Sequence, residues 1–417
     1  MNSLNSSLRK TELNSLHLAP TNEIVKELNE NTVSNINLES KKLTSDEITQ
    51  LAKALANNTS LVAINLGSNG IDENKSIEIA KYLRANTTLR QLSLQSNNIN
   101  DIGAQVFAKL LGKNTALEMI DLSRNSIDSV GALIIAEKLK KNTTLRNLAI
   151  GNNNIDEMSA LCLAEGIANN TSLQILNLDS NSISNQGAQE IAKALIINTS
   201  LKLLNLRSNY IKDWGTKAFA ETLRNNTTLE QLDLSSNELH EEGANALGEA
   251  LITNTSLRNI NFEDNSTFDR PLQSFERALV NNNTLTTCKL GNTKMEYEDA
   301  KSLAEIIKNN TTLTKLALNI VDIAPIALTT LRHSLKIDTT LTSSSVNDFN
   351  ENQAAEEVQQ YIKSFENKNQ ELLTTKATSV LRVLAPETPT EILNLISEQL
   401  LTTEYDGASL RRIGNLV

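Results

Sequence analysis

Two periods of apolar residues alternate along the chain. The stretch "LRQLSLQSNNI", from Leu89, sets Leu92 and Leu94 around a single polar residue and then continues to Asn97 and Ile99. That alternation predicts a short strand with Leu92 and Leu94 turned inward. Next come Gly103-Ala104, Ala108 and Leu111 at helical spacing, which predicts an amphipathic helix on the same core. The phrase returns from Leu61, Leu89, Leu117, Leu145, Leu173, Leu201, Leu229, Leu257, Leu285, Leu313 and Leu341, every step 28 residues, with no insertion or deletion. Val33 opens one earlier unit, "VSNINL". Leu13, Leu16 and Leu18 of "LNSLHL" stand 20 residues upstream of it as a truncated first unit. A fixed period held this long predicts a solenoid, because one strand–loop–helix unit cannot bury its apolar face alone.

Stacked units would pair their strands into one parallel sheet. Neighbouring strands lie about 4.8 Å apart, whereas packed helices need about 8–10 Å. The helical side must be the longer arc, with the sheet concave and the helices convex. The recurring Ala52, Ala80, Ala108, Ala136, Ala164, Ala192 and Ala220 would let each helix lie close to the strand layer.

The pattern Leu-x-x-Leu-x-Leu-x-x-Asn-x-Ile resembles the leucine-rich repeat family, in the 28-residue subtype of ribonuclease inhibitor and Ran GTPase-activating protein. The resemblance covers residues 13–342. It implies an α/β leucine-rich repeat solenoid, a horseshoe with a parallel concave sheet and convex helices, and protein binding as the usual role.

Two Asn series run through the repeat. One, from Asn58 and Asn86 to Asn310, follows each helix; in nine of ten units it reads as a glycosylation acceptor, Asn-x-Ser/Thr. The unit "KNTAL" at Asn114 breaks the acceptor and keeps the turn, so the series reads as architecture: a left-handed helix exit, with the next Thr or Ser steering the chain. The other series is Asn69, Asn97, Asn125, Asn153, Asn181, Asn209, Asn237 and Asn265. In the family this Asn bonds backbone groups of its own and adjacent turns. The series fails at Thr293, Val321 and Phe349, and Pro271 and Pro325 intrude, so the last units are degenerate.

Three regions follow: residues 1–32, an N-terminal cap with the truncated repeat; 33–342, the solenoid; and 343–417, a small helical C-terminal cap or module. In the last region Ala355, Val358, Ile362 and Phe365 share one helical stripe. Thr388-Pro389-Thr390-Glu391 reads as the capped start of a further helix.

Composition narrows the function. Apolar residues make up 39% but aromatics only 3%, so the core is aliphatic. Two Cys cannot form a disulfide framework, which fits a reducing compartment. The net charge of −10 argues against a nucleic-acid partner. No stretch has the length of a membrane span or signal peptide. The location expected is cytoplasmic, or inside a host cell after secretion without a cleaved signal peptide.

Catalytic signals are sparse. Cys288 takes a strand Leu site and Cys162 a helix site, both as packing residues. His17, His240 and His333 are far apart along the array. No catalytic residue, metal site or cofactor is expected, and the chain is not expected to be an enzyme.

A partner protein would meet the outer strand positions Ala63, Gln91, Met119, Asn147, Ile175, Leu203, Gln231, Asn259, Thr287 and Lys315. Met119, Ile175 and Leu203 interrupt a mostly polar or small row, and Tyr210 replaces a usually polar residue after the ladder Asn. These four, with Arg207 and Asp179 on the loops, are the candidate partner-binding residues. Ile196-Ile197 is a second candidate. Trp214 aligns with Ile102, Val130 and Met158 and is expected to be partly buried. The chain resembles leucine-rich repeat effectors that intracellular bacteria deliver into host cells, which implies a host protein as partner. The alternative is a GTPase-activating or GTPase-regulating protein similar to Ran GTPase-activating protein, with Arg124 or Arg207 placed near the nucleotide. A third reading is an extracellular recognition receptor.

Overall fold

The computed structural model describes residues 20–265, 271–334 and 351–384. The truncated unit at Leu13–Leu18 and the helix expected from Thr388 lie outside them. Strands and helices alternate: α1 (Thr21–Glu30), β1 (Asn35–Asn37), α2 (Ser45–Asn57), β2 (Ala63–Asn65), α3 (Glu73–Leu83), β3 (Gln91–Ser93), α4 (Asp101–Leu111), β4 (Met119–Asp121), α5 (Ser129–Leu139), β5 (Asn147–Ala149), α6 (Glu157–Asn169), β6 (Ile175–Asn177), α7 (Ser184–Ile197), β7 (Leu203–Asn205), α8 (Asp213–Leu223), β8 (Gln231–Asp233), α9 (Glu241–Thr253), β9 (Asn259–Asn261), α10 (Pro271–Asn281), β10 (Thr287–Met295), α11 (Tyr297–Asn309), β11 (Lys315–Ile323), α12 (Pro325–Ser334) and α13 (Glu351–Leu384).

The eleven strands form one open parallel sheet in chain order. Each residue of β1–β9 pairs with the residue one repeat on: Ile36 with Ile64, Ile64 with Leu92, Leu92 with Ile120. Leu92, Leu94, Ile99, Ala108 and Leu111 are buried, as the two periods predict. The small helix site is needed: at Gly248, which continues the Ala series, an added Cβ would strike the Ser274 carbonyl oxygen. Helix starts are capped, as by the capping box of Thr44 with Glu47 and by Asn100 Oδ1, which accepts from Ile102 N (3.1 Å) and Gly103 N (3.2 Å).

Both Asn series lie inside the stack. Asn97 Nδ2 donates to Leu94 O (2.8 Å) and, one turn back, to Leu66 O (3.2 Å). Its Oδ1 accepts from Asn69 N and Ile71 N, both at 2.9 Å. The helix-exit series departs from expectation. Asn58 leaves α2 in extended backbone (φ −71°, ψ 136°), as do Asn170, Asn198, Asn254 and Asn310; Asn31 is left-handed. What the site requires is the side-chain amide. Asn86 Nδ2 donates to Leu55 O (2.6 Å) at the end of the preceding helix, and Oδ1 accepts from Thr88 N (3.0 Å) and Leu89 N (2.7 Å). The nitrogen that would carry a glycan is therefore buried and bonded. The left-handed residues fall instead on the loop after each strand, at Ser68, Ser96, Arg124, Asn152, Ser180, Ser208, Ser236 and Asp264.

Where the ladder Asn is lost, the turn straightens. β10 and β11 are nine residues long, and pairing continues past a bulge at Gly291 through Thr293–Ile320 to Met295–Ile323. Without an amide to bracket the bend, the backbone groups pair with the neighbouring strand. Beyond β11, α13 takes the place of another strand. Glu366 Oε1 accepts from Leu316 N (2.8 Å), Gln359 Nε2 donates to Leu318 O (2.7 Å) and Asn369 Nδ2 donates to Leu313 O (2.9 Å). Val358, Ile362 and Phe365 join the core. Arg332 of α12 pairs with Glu357 of α13 and holds its carboxyl below the usual carboxylate range. No helix among the described residues is long and apolar enough to cross a membrane.

Candidate interaction face

The outer face of the sheet is built from two rows. The first begins each strand. Here Ile175 and Leu203 are direct register partners, both half-buried. Met119 is not offered in the same way, because only 8% of it is exposed. Its register partners Gln91 and Asn147 are themselves half-buried, and Asn147 Oδ1 lies wholly beneath the surface. A flexible thioether in so closely packed a row is covered by its neighbours. The expectation for Met119 as an open contact residue is corrected accordingly.

Tyr210, past β7, is 61% exposed with φ +58°. At the equivalent position of β2's loop the left-handed residue is Gly70, which has no Cβ to crowd. Asp179 and Arg207 stand at equivalent places on successive loops, both half-buried. Arg207 is held by Asp264 at 3.4 Å. Arg124 is exposed, with φ +55°. Trp214 is 51% exposed, and Ile102, Val130 and Met158 of the same row are also exposed, so this row is not buried as expected. Its positions lie in the first turn of each helix, where the side chain clears the strand layer. Ile196 and Ile197, at the end of α7, are exposed too.

The second outer row escaped the sequence reading. It ends each strand with Asn37, Asn65, Ser93, Asp121, Ala149, Asn177, Asn205, Asp233 and Asn261. Each side-chain oxygen here folds onto the amide two residues on: Asn177 to Asp179 N (3.1 Å), Asn205 to Arg207 N (3.0 Å), Asp121 to Ser123 N (2.9 Å). Rungs also join across strands, with Asn205 Nδ2 on Asn177 Oδ1 at 2.5 Å and Asn261 Nδ2 on Asp233 Oδ2 at 3.0 Å. The signal was present as a third Asx series, at the fifth residue of each unit. Burial pushes the Asp121 carboxyl above the usual carboxylate range; the Asp179 charge adds to this and Arg124 opposes it.

The groups that could do chemistry are dispersed. Cys288 is fully buried and Cys162 half-buried, and burial raises both thiols. His240 Nδ1 is 3.8 Å from Asp213 Oδ2, His333 is exposed on α12, and His17 lies outside the described residues. Among the described residues no three His, Cys, Asp or Glu gather as a metal ion would need.

The family described as Leucine Rich repeat matches residues 85–108, 169–192 and 225–248, each running from the end of one helix through a strand into the next helix. The chain carries leucine-rich repeats. Among solved structures it is similar to an internalin of Listeria monocytogenes (20% identity over 79% of this chain and 91% of that one, TM-score 0.46). It is also similar to the actin-binding site 2 of leiomodin-1 (24% identity, 36% and 91%, TM-score 0.31). A third is the tropomodulin C-terminal domain of Caenorhabditis elegans (12% identity, 42% and 92%, TM-score 0.30). No curated protein matches the chain in sequence.

Proposed function

We propose that this repeat array is a non-enzymatic scaffold that binds another protein over the outer face of its sheet, around Ile175, Leu203 and Tyr210. Tyr210 carries the reading. A left-handed backbone costs an L residue with a Cβ roughly 1–2 kcal/mol, and an exposed ring returns little of that in folding. Strain of this kind is retained where a function uses it. Tyrosine is also among the residues that dominate binding energy at protein interfaces. The paired Ile175 and Leu203 extend the surface with apolar area that the core does not need, since Leu176, Leu178, Leu204 and Leu206 already fill the inward sites.

The finer reading places the chain in the 28-residue ribonuclease-inhibitor-like subtype, acting as a bacterial effector on a host protein. The unbroken 28-residue spacing supports the subtype; the effector role rests on the resemblance alone. The test is affinity for a captured partner. Leu203→Glu with Tyr210→Ala is expected to leave stability within about 0.5 kcal/mol per surface site. It is expected to weaken binding by about 2 kcal/mol, roughly thirtyfold. Unchanged affinity would remove this face from the account. Stimulation of a GTPase that Arg124→Ala abolishes, with the patch variant binding normally, would replace the scaffold by a GTPase regulator.

A further inference from the structure

The outer row of Asn, Asp and Ser side chains has one gap. Among β1–β9, β5 alone ends its outer row without a polar side chain, at Ala149, and Gly151 follows it on the loop. The residues on either side are Asp121 from β4 and Asn177 from β6, the direct register partners of Ala149. Two strand steps separate them, about 10 Å. Elsewhere the next strand supplies a donor, as Asn261 does for Asp233. For Asp121 the next strand supplies a methyl group. This carboxylate is only 7% exposed, and its one backbone partner is Ser123 N, on Oδ1.

Two further acceptors border the same notch. The Asp179 carboxylate lies over Gly151 so closely that a Cβ there would collide with its Oδ1. Asn147 Oδ1, on the same face of β5, is buried without any hydrogen-bond partner. A buried acceptor left unpaired is costly, and native structures rarely keep one without a reason. All three unsatisfied or under-satisfied groups accept, and two of them are carboxylates. The complement is a cation with several donors in one plane. A guanidinium has five N–H groups and pairs with carboxylates at fixed geometry, whereas an ammonium is a point charge. Half-buried Ile175, beside Asn147, offers apolar surface for the methylene stem.

We propose that the notch over Ala149 and Gly151, between Asp121 and Asp179, receives an arginine side chain of the partner protein. The proposal rests on the scaffold reading above and names its specificity site. The partner's interface then presents an exposed arginine, and a partner with lysine there binds less tightly. Ala149→Asn restores the missing rung: its Nδ2 would bond Asp121 as Asn261 bonds Asp233, and its bulk would close the notch. Four units already carry Asn at this position, so the variant is expected to fold.

The probe is the peptide acetyl-Ala-Arg-Ala-amide, with a citrulline peptide of the same shape and no charge as control, followed by amide NMR of the whole chain. The amide signals of Ser123, Ala149 and Gly151 are expected to shift saturably with the arginine peptide. The citrulline peptide should leave them in place, and the response should fall at least tenfold in Ala149→Asn and in Asp121→Asn. Equal shifts with citrulline, shifts that persist in Ala149→Asn, or no shift at these amides would overturn the notch. A partner that binds wild type and Ala149→Asn alike would also overturn it, yet leave the scaffold reading standing. Only the Leu203/Tyr210 variant tests that reading.

Discussion

At the residue scale the amide side chain is the recurrent solution to one problem. A chain that bends twice per repeat leaves backbone groups stranded in the core, and Asn carries both a donor and an acceptor to meet them. Asn153 shows the load on one rung: Nδ2 reaches Leu122 O and Ile150 O at 3.1 Å, and Oδ1 accepts from Ile127 N at 3.0 Å. Asn153→Leu would strand those groups at about 1–3 kcal/mol each. The melting temperature is expected to drop by several degrees in a calorimetric scan, while Asn154→Ser, beside it, should change little. Asp121 gives a second prediction, with a pH sign. Burial raises its folded-state pKa above the ordinary 3.8, so the folded chain holds that proton more tightly. Its contribution to stability is lost as pH rises through that window and stays lost above it. Asp121→Asn keeps the acceptor for Ser123 N and removes the charge. It is expected to raise the melting temperature at pH 7, with the gain shrinking as pH falls towards 3.8.

At the scale of elements, regularity decides what could be read in advance. Strand, loop and helix positions of the central units follow from two periods in the apolar residues, because the same inward sites recur in every unit. Exposure along a shared row does not follow, since it depends on neighbours one repeat away. Met119 is covered between Gln91 and Asn147, and Trp214 stands clear of the strand layer although its row is apolar. Backbone sign was equally hidden: the helix-exit Asn suggested a left-handed turn, but the left-handed residues are mostly serines after the strands. The nine-residue β10 and β11 arise from an absence, the missing ladder Asn, which no apolar period reports. Tyr210 was conspicuous as a residue, but its left-handed backbone was not. The helix α13 bears the third prediction. Its Glu366, Gln359 and Asn369 bond the open edge of β11, and exposed strand edges invite pairing with other chains. Removal of residues 343–417 is expected to produce self-association in sedimentation and an early melt. A monomer of unchanged stability would make the region an independent module. Acid should loosen the same contact: Arg332 holds the Glu357 pKa below its ordinary 4.5, so that stabilisation is complete above 4.5 and is lost as pH falls through the depressed value.

At the scale of the whole molecule, the stack presents long rows, and a partner protein can read several units at once. Two exposed surfaces compete for that role. The outer sheet face carries Ile175, Leu203 and Tyr210, with the acidic notch at β5 beside them. The other surface is helical and includes the first-turn row of Ile102, Val130 and Met158 together with Ile196 and Ile197 at the end of α7. The sheet face has the strained aromatic residue and the unpaired acceptors, which the helical surface lacks. The most direct measurement is hydroxyl-radical footprinting of the chain with and without a captured partner, because it reports side-chain cover residue by residue. The account predicts that Tyr210 and Leu203 lose labelling in the complex while Met158 and Ile197 keep theirs. Protection of Met158 and Ile197, with Tyr210 labelled as before, would contradict it.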